Sequence, residues 1–134
     1  MRVAVAAHPG LRFMVGDLRA LPLSDRTLAG AVAFYSLIHF GSDDDLRLAC
    51  HEIARVLAPG AEVLVAYHRG NDIVRPGQLF GIPVNLAFRF LPDETVSDAL
   101  VSAGIEIRAQ IHREPYPGIE HPSRRTYLLA ARPQ

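Results

Sequence analysis

Leu46 to His68 reads LRLACHEIARVLAPGAEVLVAYH, and the fold turns on it. Leu46, Ala49, Cys50, Ile53, Val56 and Leu57 recur every three or four residues, which predicts an amphipathic helix with one buried stripe. Upstream, Ser42-Asp43-Asp44-Asp45 supplies an N-cap hydroxyl and carboxylates for the positive end of that helix, so the helix is expected over Ser42 to Leu57. Pro59-Gly60 predicts its stop. Ala61 to Tyr67, AEVLVAY, is then a nearly continuous apolar run, the pattern of a strand covered on both faces. A capped helix leading directly into a buried strand is half of an α/β repeat.

The same alternation extends both ways. Ala29 to Tyr35, AGAVAFY, reads as a second buried strand, and Leu11 to Val15, LRFMV, as a short one between His-Pro-Gly and Gly-Asp. Arg69 to Leu91 changes character. Its glycines, prolines and phenylalanines predict a long excursion, a lid or insertion with one short helical turn. Pro92 to Gly104 predicts a helix with proline and acids at its start and glycine at its stop. Ile105 to Arg113 alternates as a strand, Glu114 to Arg125 is turn-rich, and Thr126 to Ala131 is a last strand. The expectation is one α/β domain over residues 1–134, with a mostly parallel sheet and an antiparallel C-terminal hairpin.

Composition narrows the partners. The 134 residues carry fourteen basic and fourteen acidic side chains, and every basic one is arginine. A net charge of zero provides no basic field for non-specific nucleic-acid binding. Six histidines and one cysteine lack metal-ligand spacing, so no metal is expected. The single Cys50 cannot form an internal disulfide, no apolar run is long enough to cross a bilayer, and the N-terminus lacks signal-peptide layout. These features predict a cytoplasmic protein without a membrane partner.

Phe13 to Ala66 resembles the second half of a class I S-adenosylmethionine-dependent methyltransferase. GDLRALPLSD (Gly16–Asp25) is similar to that family's motif after its third strand. AVAFYSLIHF (Ala31–Phe40) is similar to its fourth strand and following loop, and Leu46–His68 to its next helix and fifth strand. The resemblance implies a Rossmann-like sheet in the order 3-2-1-4-5-7-6 and S-adenosylmethionine as cofactor. The family's glycine-rich turn and ribose-binding acid have no counterpart here: no G-x-G-x-x-G occurs. MRVAVAAHPG resembles the end of the helix that follows the family's second strand. Without the first two strands, the strand at Ala31–Tyr35 becomes an open edge, a template for pairing. The expected outcomes are a relocated LRFMV strand, edge-to-edge association of two copies as a homodimer, or a native state that includes further residues. Of these, relocation or self-association is favoured for a folded chain.

The resemblance also implies site residues. Asp17 would accept from the adenine amino group and the Leu18 amide would meet the adenine ring; a turn aspartate satisfying local amides is the competing reading. Tyr35 and Ser36 end the fourth strand, where open α/β sheets bind ligands. His39 and His68 are the candidate catalytic groups, either orienting the acceptor or taking a proton. Phe80 and Phe88 in the excursion, with Tyr116, His121 and Arg124 in the last loop, are the candidate substrate contacts. Surface ion pairing competes for the arginines of that loop. Two functions follow. One is methyl transfer to a small-molecule acceptor, weak or absent in this chain alone. The other is a non-catalytic methyltransferase-like module that self-associates.

Overall fold

The computed structural model describes residues 1–134. Eight strands and three helices follow in the order α1 (Arg2–Ala7), β1 (Leu28–Phe34), α2 (Asp43–Val56), β2 (Leu57–His68), β3 (Ile73–Val74), β4 (Gln78–Leu79), β5 (Ile82–Pro83), β6 (Phe88–Arg89), α3 (Asp93–Ser102), β7 (Glu106–Arg113) and β8 (Arg125–Ala131). The main sheet runs β1-β2-β8-β7. β1 and β2 are parallel, and β8 is antiparallel to both β2 and β7. That order is the 4-5-7-6 portion of the sheet implied by the resemblance.

Local chemistry accounts for the two long helices. The Ser42 hydroxyl accepts from the Asp45 amide at 3.1 Å and caps α2, and Asp43, Asp44 and Asp45 occupy its first turn. The expected stripe of Leu46, Ala49, Cys50, Ile53, Val56 and Leu57 is buried, and Cys50 is fully enclosed. α2 ends at Val56, three residues before Pro59, because the Arg132 guanidinium takes its terminal carbonyls. It donates to Ala54 at 2.6 Å and to Leu57 at 2.8 Å. α3 is closed just past its end by Gly104, whose φ of 81° lets Ile105 N–H return to the Leu100 carbonyl.

Both helices lie on one face of the sheet. There Val63, Val65 and Tyr67 of β2, Leu128 and Ala130 of β8, and Ala33 of β1 meet Ile53, Ala99 and Leu100. The alternate positions form the other face. Val32, Leu64 and Leu129 stand in register across three strands, and Phe34, Ala66, Tyr127 and Ile111 across four. Nothing covers that face at Val32, Phe34, Ile111 or Leu129, which are all exposed.

Three expectations are corrected. Leu11–Val15 forms no strand. A strand is stable only with a neighbour to take its backbone bonds, and this segment has none. β1 is therefore not repaired by relocation; it is an edge with β2 alone beside it, so the strand expected to be covered on both faces is half bare. The Arg69–Leu91 excursion contains no helical turn. It folds as two miniature antiparallel ladders, β3 with β6 and β4 with β5.

Candidate functional site

The carboxyl ends of β1 and β2 lie side by side, and the chain leaves both in ways that aim aromatic rings at one point. β1 ends at Phe34 and is followed by Tyr35, held at φ 50°, a left-handed conformation that costs a tyrosine energy. Its ring lies 4.7 Å from the His68 ring at the end of β2. Phe90 lies 5.2 Å from His68 on a similar tilt, and His121 meets both at 6.2 and 5.8 Å. Arg69 to Leu91 thus returns to the sheet at this point: Leu91 N–H bonds the His68 carbonyl at 2.9 Å.

Ser123 Oγ sits 2.8 Å from His68 Nδ1. The loop that carries it is pinned by Arg125, which is only 4% exposed and donates to the Ser123 carbonyl at 2.7 Å and the His121 carbonyl at 3.3 Å. Glu120 completes the loop. It accepts from Arg113 at 2.7 and 2.9 Å and from the Tyr116 amide, and the Arg113 bonds hold its carboxyl down at about 2. Tyr35 and Tyr127 hydroxyls meet at 3.2 Å. Burial, reinforced by that bond, pushes Tyr35 up to about 12.

Burial, with Arg125 and His121 adding like charge and Glu120 opposing weakly, pushes His68 down to about 4. His68 is therefore neutral near pH 7. Its folded value lies below the ordinary histidine value, so the unfolded chain binds this proton more readily between the two, and stability falls as pH drops from about 6.5 towards 4. With His68 partly open to solvent, we expect a loss of about 1 kcal/mol between about pH 7 and about pH 5. Urea unfolding at both pH values checks it: His68→Gln should flatten the dependence, and an unchanged slope would refute it.

Beside this cluster is a cavity of about 480 Å³ lined by Arg69, Asp72, Phe90, Glu114, Ser123 and Arg124. Arg69 is turned partly away, pairing with Asp93 at 2.8 Å, while Arg124 is exposed. A second hollow, of about 340 Å³ and mostly apolar, opens between the N-terminal strap and β1, with Met14, Leu18, Pro22, Val32 and Ser36 in its wall. Ser36 Oγ is buried there without a hydrogen-bond partner.

The structure brings together Tyr35, His68 and His121, puts Arg124 in the adjoining cavity, and sets Leu18 and Ser36 on the apolar hollow. It does not gather the others. Asp17 is held by Arg19, through the side chain at 2.7 Å and the amide at 2.9 Å, which lowers it to about 2. Arg19 continues to Asp45 at 2.7 Å and ties the strap to α2. His39 is exposed and packs on Phe88 at 5.2 Å, apart from His68's cluster. Tyr116 lies under Arg113, and Phe80 is fully exposed. Of the two loop arginines offered for an anion, Arg125 is spent on backbone carbonyls. Sequence reasoning passed over Phe90 and Ser123 as site residues. The one cue was their place in the two segments that follow β2 and precede β8.

The first 60 residues match the family described as a methyltransferase domain. A stretch of 56 residues is 39% identical to an O-methyltransferase, rstn1, of Aspergillus nomiae; it is 42% of this chain and spans 24% of that protein. Among solved structures, a SAM-dependent methyltransferase from Methanosarcina mazei superposes with a TM-score of 0.83 at 15% identity, over 98% of this chain and 76% of its own. The 1,6-didemethyltoxoflavin-N1-methyltransferase of Burkholderia thailandensis, solved with its namesake compound and S-adenosylhomocysteine, gives 0.72 at 16% identity, over 99% of this chain and 56% of its own. Residues 1–60 are thus similar in sequence to a methyltransferase domain, and the chain as a whole shares the fold of S-adenosylmethionine-dependent methyltransferases, with no G-x-G-x-x-G run in its sequence.

Proposed function

We propose that this chain carries the acceptor side and part of the cofactor side of an S-adenosylmethionine-dependent methyltransferase acting on a small molecule, and that alone it is a weak or inactive catalyst. The observation that carries the reading is the aromatic cluster at the carboxyl ends of β1 and β2, with a ligand-sized cavity against it. Leu18, Tyr35 and Ser36 are the cofactor contacts, with Asp17 available only if Arg19 releases it. S-adenosylmethionine would supply the methyl group. The chain's residues would hold the acceptor in line with it, with His68 as the group nearest the acceptor and His121 and Arg124 as its walls; His39 and Phe88, packed on each other apart from that cluster, would join only after a rearrangement. Phe80 and Tyr116 would join only if the Arg69–Leu91 segment closes as a lid. A cytoplasmic setting suits the free, buried Cys50. The test is the amide NMR spectrum with millimolar S-adenosylhomocysteine: Leu18 and Ser36 should shift, and a spectrum silent there removes the cofactor reading.

A second reading is a non-catalytic module that associates with its own copy. β1, LAGAVAF, has no charge and no proline to guard its open edge, and Val32 and Phe34 stand exposed beside it. Sedimentation should show a dimer at micromolar concentration that Val32→Asp converts to monomer. A monomeric wild type at every concentration would end this reading.

A further inference from the structure

The contact between Ser123 and His68 decides what His68 can do. A neutral imidazole carries its proton on one nitrogen and accepts on the other, and the partner of one nitrogen sets the role of the other. Ser123 is 6% exposed, and its hydroxyl oxygen has a single partner, His68 Nδ1, at 2.8 Å. If Nδ1 carried the proton and donated to Oγ, the serine's own O–H would have no protein acceptor and would depend on water in the adjoining cavity. If the serine donates to Nδ1, only spare oxygen lone pairs go unused, and an unused lone pair costs less than a stranded donor.

The loop leaves Ser123 little freedom to choose otherwise. Its N–H bonds the His121 carbonyl at 2.8 Å, and its carbonyl is held by Arg125. His68 Nε2 makes no hydrogen bond within the protein and is not among the buried unpartnered polar atoms, so it opens to solvent. The charged and titratable groups that face the ring are Arg125 of β8, Glu120 and His121 of the preceding loop, and the Tyr35 phenol after β1. Burial first, and Arg125 opposed only weakly by Glu120, disfavour a second proton on the ring.

We infer that Ser123 donates to Nδ1 and fixes His68 as the neutral tautomer protonated at Nε2, which presents a hydrogen-bond donor to a carbonyl or carboxylate oxygen of the bound small molecule. This rests on the acceptor site proposed above and gives it a ligand class. His68 then orients the acceptor molecule through its oxygen and is not the group that removes a proton. Ser123 is a positioning residue that acts through the imidazole. An ammonium group is the wrong partner for an N–H donor.

The test needs no catalysis. In ¹⁵N-labelled protein near pH 7, long-range proton–nitrogen spectra should show His68 Nε2 as the protonated nitrogen and Nδ1 as the bare one, in excess by about tenfold. Ser123→Ala should bring the two forms towards parity, and Ser123→Thr, which keeps the hydroxyl, should restore the preference. Millimolar benzoate should move the Nε2–H resonance of the wild type and benzylamine should not. A wild type protonated at Nδ1, or a Ser123→Ala protein with an unchanged tautomer, overturns the positioning role. A resonance moved by benzylamine and not by benzoate, or by neither, overturns the ligand class. The tautomer is read without cofactor, so its failure leaves methyl transfer standing, and failure of S-adenosylhomocysteine to bind leaves the tautomer standing.

Discussion

Titrated calorimetrically with S-adenosylhomocysteine, the 134-residue chain is expected to bind no tighter than millimolar. The protein keeps the carboxyl ends of β1 and β2 and an apolar hollow beside Leu18 and Ser36. It has no glycine-rich turn to bring backbone amides against the ligand and no second-strand acid for the ribose diol. Asp17, the acid proposed to meet the adenine amino group, is already engaged by Arg19. Three lost charged or buried hydrogen bonds at about 1–3 kcal/mol each weaken binding by roughly two to six decades. Micromolar binding would refute the weak-alone reading and would mean that a second copy or a rearranged strap rebuilds the missing half-site. Loss of that binding in Val32→Asp would identify the second copy as the source.

Asp93→Ala should be the most damaging single substitution outside the apolar core, at about 3 kcal/mol in urea unfolding. One carboxylate oxygen of Asp93 accepts from the Tyr67 hydroxyl and from the Thr126 hydroxyl, each at 2.7 Å, and the other accepts from Arg69 at 2.8 Å. Tyr67 and Thr126 are both fully buried, so removing the carboxylate strands the Tyr67 donor where water cannot replace it and leaves Thr126 only the longer contact to His112 Nδ1 at 3.2 Å. The same environment raises the Tyr67 phenol well above its ordinary range, through burial first and the Asp93 bond second. Asp93→Asn keeps an acceptor oxygen and should cost about 1 kcal/mol. An alanine variant as stable as wild type would show that the cluster contributes nothing net.

What could be read from the sequence followed from locality. The α2 stripe was legible because its cap and its period lie within one short segment, and Gly104 was legible because a glycine after a helix has a definite backbone use. LRFMV was misread because a strand is made by its neighbour, and local pattern carries no record of whether a neighbour exists. The excursion was misread for the opposite reason: its two ladders are too short to leave a period. In the site, Tyr35 and His68 were legible as strand ends. Ser123 was not, since it lies 55 residues from His68, and Asp93 meets Tyr67 and Thr126 across 26 and 33 residues. Its role as the first acid of a helix was visible; its role as a shared acceptor needed the third dimension.

Cys50 lies at the centre of α2 against the sheet, fully enclosed, and burial pushes its thiol up to about 12. A thiolate is the reactive species, so a folded molecule offers a thiol reagent nothing to attack. The chain has one cysteine, so every modification event reports the same place. Labelling kinetics therefore serve as an internal clock for whole-molecule opening. Run beside amide exchange in the half-covered β1, that clock would separate fraying of the bare edge from loss of the core.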